Sequence, residues 1–172
     1  IIDERFIAGG QLPDRFIEKV NRQMVTRIAF RNGATVTHPT VNHYGPKAML
    51  INGWAGSGGD AFPFFFKEMK VGPLIGERTW GGLIGPAMGH QLIDGGFFTA
   101  PPGRLFGPDG VWFPEGHGVD PDIVVVDDPG QMAKGGDPQL EAAISEVLKL
   151  IEQNPPKFAE PPAFEKRIAK EK

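Results

Sequence analysis

The stretch "KAMLINGWAGSGGDAFPFFFKEM", residues 47–69, restricts the possible folds of this chain more than any other. It opens on a short unbroken apolar run, Ala48 to Ile51. Such a run reads as a strand buried on both faces, and strands of that kind belong to parallel sheets covered by helices. Five small residues follow, "AGSGG" at 55–59, and then a phenylalanine-rich helix to about Met69. Strand, tight turn and helix predict an α/β fold, with Ser57 where the strand gives way to the helix. A turn of this kind lifts a side chain off the sheet. Small neighbours let a substrate backbone come close, and N–H groups at the helix start face developing negative charge. The pattern departs from the strict G-x-S-x-G elbow because residue 55 is Ala. The same residues also read as a glycine-rich helix N-terminus capped by Ser57.

The rest of the chain continues the alternation. "IIDERF" reads as a strand and "IAGGQ" as the loop after it. A strand at the first residue leads us to expect a piece of a longer chain. "LPDRFIEKVNRQM" is a predicted helix, with Pro13 and Asp14 in its first turn and Phe16, Ile17, Val20 and Met24 on one face. Residues 31–46 read as a polar excursion with short extended pieces. "VGPLIGERTWGG" predicts a strand and a glycine turn, and "HQLIDGGFFTAP" a hairpin around Asp94, Gly95 and Gly96. "DIVVVD" reads as another buried strand. Asp137 and Pro138 predict a helix start, and Leu140, Ile144, Val147, Leu148 and Ile151 its apolar stripe. We expect one unit over residues 1–154 and a Pro-rich charged tail over 155–172, extended or loosely docked.

Composition narrows the function classes. The net charge is −3 with both signs interspersed, so no nucleic-acid footprint or anionic-membrane patch is expected. Gly 24 and Pro 17 predict many turns. Without cysteine, disulfide and thiol chemistry are excluded. No run of 18 apolar residues offers a membrane span, and "IIDERF" lacks the pattern of a signal peptide. Glu115, His117, Asp120 and Asp122 crowd into "EGHGVDPD", but Gly116, Gly118 and Pro121 make that stretch a turn. No metal site and no cofactor are expected. No phosphate-binding glycine motif supports a nucleotide.

Four stretches, "IIDERFIAGG", "GWAGSGGDAFPFFFK", "LIGERTWGGLIG" and "EGHGVDPDIVV", occur in an order and at a spacing that carry a resemblance. Together they resemble the tail-specific (C-terminal processing) serine protease family, closest to the C-terminal catalytic subdomain of tricorn protease and its bacterial homologues. The resemblance covers about residues 1–150. It implies a crotonase/Clp-protease-like ββα spiral core with a C-terminal helix, and a serine endopeptidase working through an acyl-enzyme. Ser57 falls on the nucleophile. Gly58 and Gly10 fall on the oxyanion-hole donors, with Gly9 as the alternative to Gly10. Glu115 falls on the glutamate that orients the catalytic histidine through a bridging serine. Thr79-Trp80-Gly81-Gly82 matches a stretch taken as structural.

The departures are as informative as the matches. In tricorn-like members the general-base histidine lies in a preceding subdomain, with a PDZ-like domain between. His38, His43, His90 and His117 do not match it. The chain alone is therefore expected to be nearly inactive, and its expected partners are the upstream subdomain, the PDZ-like domain and a peptide or unfolded protein substrate. A homo-oligomer, and a cytoplasmic or periplasmic place in a prokaryote, are also implied. Gly58 stands where the tricorn pattern is acidic, and Ala8 replaces the first of three glycines. Ile28 stands where that pattern has an aspartate favouring basic side chains, which implies apolar residues at the cleaved position. Two other readings compete. One is an α/β-hydrolase-type esterase using Ser57, Asp94 and His117. The other is a non-catalytic peptide-binding homologue, for which Gly58 and Ala8 are the hints.

Overall fold

The apolar run at 48–51 forms β4 (Met49–Ile51), every residue of it buried, at the centre of a four-stranded sheet. The computed structural model describes residues 1–11, 13–86 and 89–166. Leu12, with which the predicted first helix begins, and residues 167–172 of the predicted tail lie outside them. The strand order is β1-β4-β5-β8, with β1 Ile2–Asp3, β5 Leu74–Gly76 and β8 Ile123–Val124. All three pairings are parallel: Ile2 opposes Met49, Leu50 opposes Ile75, and Ile75 opposes Ile123. Parallel neighbours need crossovers that cover the faces. Here α1 (Pro13–Val20) and α2 (Gly58–Glu68) cover one face and α4 (Pro138–Gln153) the other.

Strand alternation sorts the core into two layers. Met49, Ile51 and Leu74 pack with Ile17, Phe62 and Phe66. Ala48, Leu50 and Ile75 pack with Ala143 and, at the edge, Leu140 and Val147. The chain also carries two antiparallel pairs, β2 (Thr26–Ile28) with β3 (Val36–His38) and β6 (His90–Gln91) with β7 (Phe97–Phe98). The second is the hairpin expected around Asp94-Gly95-Gly96. A short helix, α3 (Pro129–Met132), precedes α4.

Three expectations need correcting. The first helix stops at Val20 rather than running to Met24. "DIVVVD" is not a buried strand: β8 has a neighbour on one side only, so Ile123 and Val125 pack toward α4 while Val124 and Val126 face out. The face of α4 turned to the sheet carries Gln139, Leu140, Ala143 and Val147, and Ile144, Leu148 and Ile151 are exposed. Ala143 is small enough to let the helix approach β4 and β5. The Pro-rich segment has no regular structure in its described part, yet it docks. Phe158 meets Tyr44 edge-on at 4.9 Å, and Arg27 lies over the Phe158 ring while donating to the Ala159 carbonyl at 2.9 Å.

Candidate active site

Ser57 closes the turn between β4 and α2, and its backbone lies at φ 57 and ψ −111. A side chain rarely adopts that conformation, which costs on the order of 1–3 kcal/mol and survives only where surroundings enforce it. They do so here with hydrogen bonds on both sides of the residue. Ala55 N–H donates to Asn52 O at 3.0 Å, and Gly56 N–H to Ile7 O at 3.0 Å. Ser57 N–H is shared between Gly82 O at 3.1 Å and Asp60 Oδ2 at 2.9 Å. A helix cap alone would use the ordinary extended backbone. The strained turn instead presents the hydroxyl.

The loop after β1 lies against that hydroxyl. Gly9 and Gly10 have φ of +122 and +116, which favour glycine. A Cβ on Gly9 would stand 2.9 Å from Ser57 Cβ and 3.1 Å from Ser57 Oγ. A Cβ on Gly58 would strike the Gly10 carbonyl and stand 3.0 Å from Gly10 N. Sequence-predicted Ser57, Gly58, Gly9 and Gly10 therefore form one cluster, with bare backbone on the side of the Ser57 hydroxyl. Of the two loop glycines, Gly9 is the one against the hydroxyl.

Asp60 is the residue that the sequence reading missed. It is fully buried, with Oδ1 accepting Gly81 N–H at 2.8 Å and Oδ2 accepting Gly82 N–H at 3.0 Å as well as Ser57 N–H. Three donors satisfy one buried carboxylate, and they tie the turn to the Thr79-Trp80-Gly81-Gly82 loop. The spacing Ser57-x-x-Asp60 is that of a capping box and was the available signal.

That loop also reaches Glu115. Glu115 Oε2 accepts Leu83 N–H at 3.0 Å and Ile84 N–H at 3.1 Å, and Gly116 N–H donates to Gly81 O at 2.8 Å. Thr79 pairs with Val119 through its N–H at 3.1 Å and its Oγ1 at 2.8 Å. One short segment thus fixes both the Ser57 turn and the Glu115 carboxylate, with Glu115 half-buried and its second oxygen free of any described hydrogen bond.

Other candidates lie elsewhere. Ile28 is in the β2–β3 hairpin opposite Val36, partly exposed, with no described hydrogen bond joining that hairpin to the Ser57 turn. His117 Nε2 meets Asp120 Oδ2 at 2.8 Å and its Nδ1 meets Arg78 at 3.1 Å. Asp94 turns back on Gly96 N–H at 3.0 Å. Ser57, Asp94 and His117 share no described hydrogen bond, so the hydrolase arrangement is not assembled. Asp122 is spent on Leu74 N–H at 2.8 Å and Lys67 at 3.1 Å and makes no described hydrogen bond to His117.

Shifted carboxyls gather where the chain leaves β1. Arg5 binds Asp3 at 2.7 Å and Asp137 at 2.8 Å, which holds both carboxyls below the usual range. Glu4 is buried beside Asp3, and burial first, then the Asp3 charge, pushes its carboxyl up to about 7.

The sequence pattern of peptidase family S41 matches residues 1–125, which include every residue of the Ser57 cluster and Glu115. The chain belongs to this family. It is 36% identical over 149 residues to the tricorn protease of Thermoplasma acidophilum and 35% over 157 residues to tricorn protease homolog 1 of Streptomyces coelicolor. These alignments cover 87% and 91% of the chain but only 14% and 15% of the relatives. The S41 chain thus spans under a fifth of their length. A crystal structure of tricorn protease superposes with a TM-score of 0.78 at 35% identity, over 87% of this chain and 15% of that one. The photosystem II D1 C-terminal processing protease shares the fold, with a TM-score of 0.51 at 24% identity, over 84% of this chain and 37% of that one. The mixed α/β architecture with its parallel sheet is therefore that of the S41 peptidases.

Proposed function

We propose that the chain is the nucleophile-bearing part of a serine peptidase that cleaves peptides or unfolded polypeptides through an acyl-enzyme. The strained Ser57 turn, pressed against Gly9 and backed by Gly58, carries this reading. Ser57 attacks the scissile carbonyl. N–H groups of Gly58 and of the Gly9–Gly10 segment receive the oxyanion, each worth about 3 kcal/mol. The proton on Ser57 passes to a histidine, which then protonates the leaving amine before water releases the acyl group.

The histidine comes from outside these residues. Of the four present, His117 is engaged with Asp120 and Arg78, His90 packs against Phe98, His38 ends β3, and His43 lies in the loop after it. Glu115 is fixed on one oxygen and offers the other to orient that histidine through a bridging serine. Residues 1–154 act as the catalytic subdomain of a longer chain whose preceding part supplies the base, and the Pro-rich segment from 155 is an appendage to it.

The test is peptide hydrolysis by the full-length protein carrying Ser57→Ala or Glu115→Gln. Ser57→Ala is expected to lower kcat by about 10⁴-fold or more. Glu115→Gln is expected to lower it by about 10²-fold, with KM nearly unchanged. Full activity in Ser57→Ala would dismiss the reading.

A further inference from the structure

A cavity of about 210 Å³ opens beside the Ser57 turn. Ile7, Phe16 and Phe62 make much of its wall, and Gly9 and Gly58 at its edge are the residues that press on Ser57. Gly9 and Gly58 thus border both the cavity and Ser57, so a peptide carbonyl that meets the N–H groups of this glycine cluster would lie next to the cavity.

Its lining holds one carboxyl with nothing to bind. Glu4 is 7% exposed, and its backbone is used in the sheet, donating to Leu50 O at 3.0 Å and accepting from Ile7 N–H at 3.4 Å. Among the described residues its carboxyl makes no hydrogen bond and no ion pair. The other carboxylate of the lining, Asp3, is already paired with Arg5, and Arg5 is shared with Asp137. A buried carboxyl without a partner is costly, and packing alone would favour an apolar residue at this position. Burial and the Asp3 charge raise its pKa to about 7, so it ionises readily once a donor arrives.

We propose that this cavity receives the side chain on the acyl side of the cleaved bond, and that Glu4 selects a head group that donates hydrogen bonds, lysine foremost. The inference rests on the peptidase reading. A lysine stem packs against the apolar wall while its ammonium brings three donors to the Glu4 carboxylate. A leucine satisfies the wall but leaves Glu4 desolvated and unpaired. This replaces the apolar preference expected from Ile28, whose hairpin takes no part in the cavity lining.

The full-length protein should be assayed on fluorogenic peptides that differ only in the cleaved residue: lysine, its uncharged isostere norleucine, and leucine. Labelling of Ser57 by a fluorophosphonate is followed in parallel. The expected result is a kcat/KM for lysine about 10- to 100-fold above norleucine. Glu4→Val is expected to abolish that ratio by lowering lysine cleavage about 10-fold or more, with norleucine cleavage kept or raised and Ser57 still labelled. Glu4→Gln, closest in shape, guards against a folding defect and is expected to lose most of the ratio. Equal cleavage of lysine and norleucine peptides, or a lysine preference that survives both variants, would overturn the proposal alone. No cleavage together with no labelling of Ser57 would overturn the peptidase reading and this inference with it.

Discussion

Ser57 occupies a backbone conformation that only its hydrogen-bonded surroundings make tolerable, so its neighbours are as constrained as Ser57 itself. Gly9→Ala would place a methyl 3.1 Å from the Ser57 hydroxyl at a φ of +122. Activity of the full-length protein should fall at least about 100-fold, with destabilisation of about 1–3 kcal/mol by chemical denaturation. Asp60→Asn exchanges one carboxylate oxygen for an amide that points donors at donors. It should cost about 2–4 kcal/mol and loosen the Ser57 turn, seen as a lower denaturation midpoint and slower fluorophosphonate labelling. Ser57, Gly58 and the glycines of the β1 loop were legible in sequence because small residues around a hydroxyl are a local pattern. Asp60 was less so, because two of its three partners, Gly81 and Gly82, lie 21 and 22 residues away. Glu4 was not legible at all: only the tertiary fold shows that a carboxyl in "IIDERF" has no cation left to meet.

At the scale of elements, the start of α4 joins three parts of the molecule. Asp137 caps the helix by accepting Leu140 N–H at 3.0 Å and also accepts both Arg5 Nη groups, at 2.9 and 2.8 Å. The buried Gln139 donates to Val125 O at 2.9 Å and accepts from Arg5 at 3.3 Å. Asp137→Ala removes a cap worth about 1 kcal/mol and leaves Arg5 short of a partner. A loss of about 2–3 kcal/mol is expected, read as a Tm lowered by roughly 5–10 °C. The helix start was plain from the Asp-Pro pair. The buried face was not, because an apolar residue at helical spacing does not reveal which side the sheet occupies. Ala143 and Gln139 face it, while Ile144 and Leu148 do not. β8 misled for a related reason: "DIVVVD" reads as doubly buried, yet its place at the sheet edge exposes alternate residues.

For the molecule as a whole, Glu4 and the carboxyls bound to Arg5 give stability an uncommon pH dependence. Glu4 is near 7 when folded against an ordinary 4.5. Between those values the folded state holds a proton that the unfolded state releases, so stability falls as pH rises through that window, by at most about 3 kcal/mol. Arg5 depresses Asp3 and Asp137, whose contribution is lost as pH falls below the usual carboxylate range. Stability should therefore peak on the acid side, near pH 4–5. Denaturant titrations of Glu4→Gln should show the slope between pH 4.5 and 7 flattened. A slope unchanged in the variant would assign it to other groups. The α/β class was legible in one buried strand and its turn, whereas no histidine among the four could be assigned to Ser57 from its place in the sequence. The most direct test is fluorophosphonate labelling of the full-length protein and of this chain alone, mapped by mass spectrometry. The account predicts an adduct on Ser57 in the full-length protein and little on the isolated chain. Equal strong labelling of both would place the base within these residues, and no labelling of either would contradict a nucleophilic Ser57.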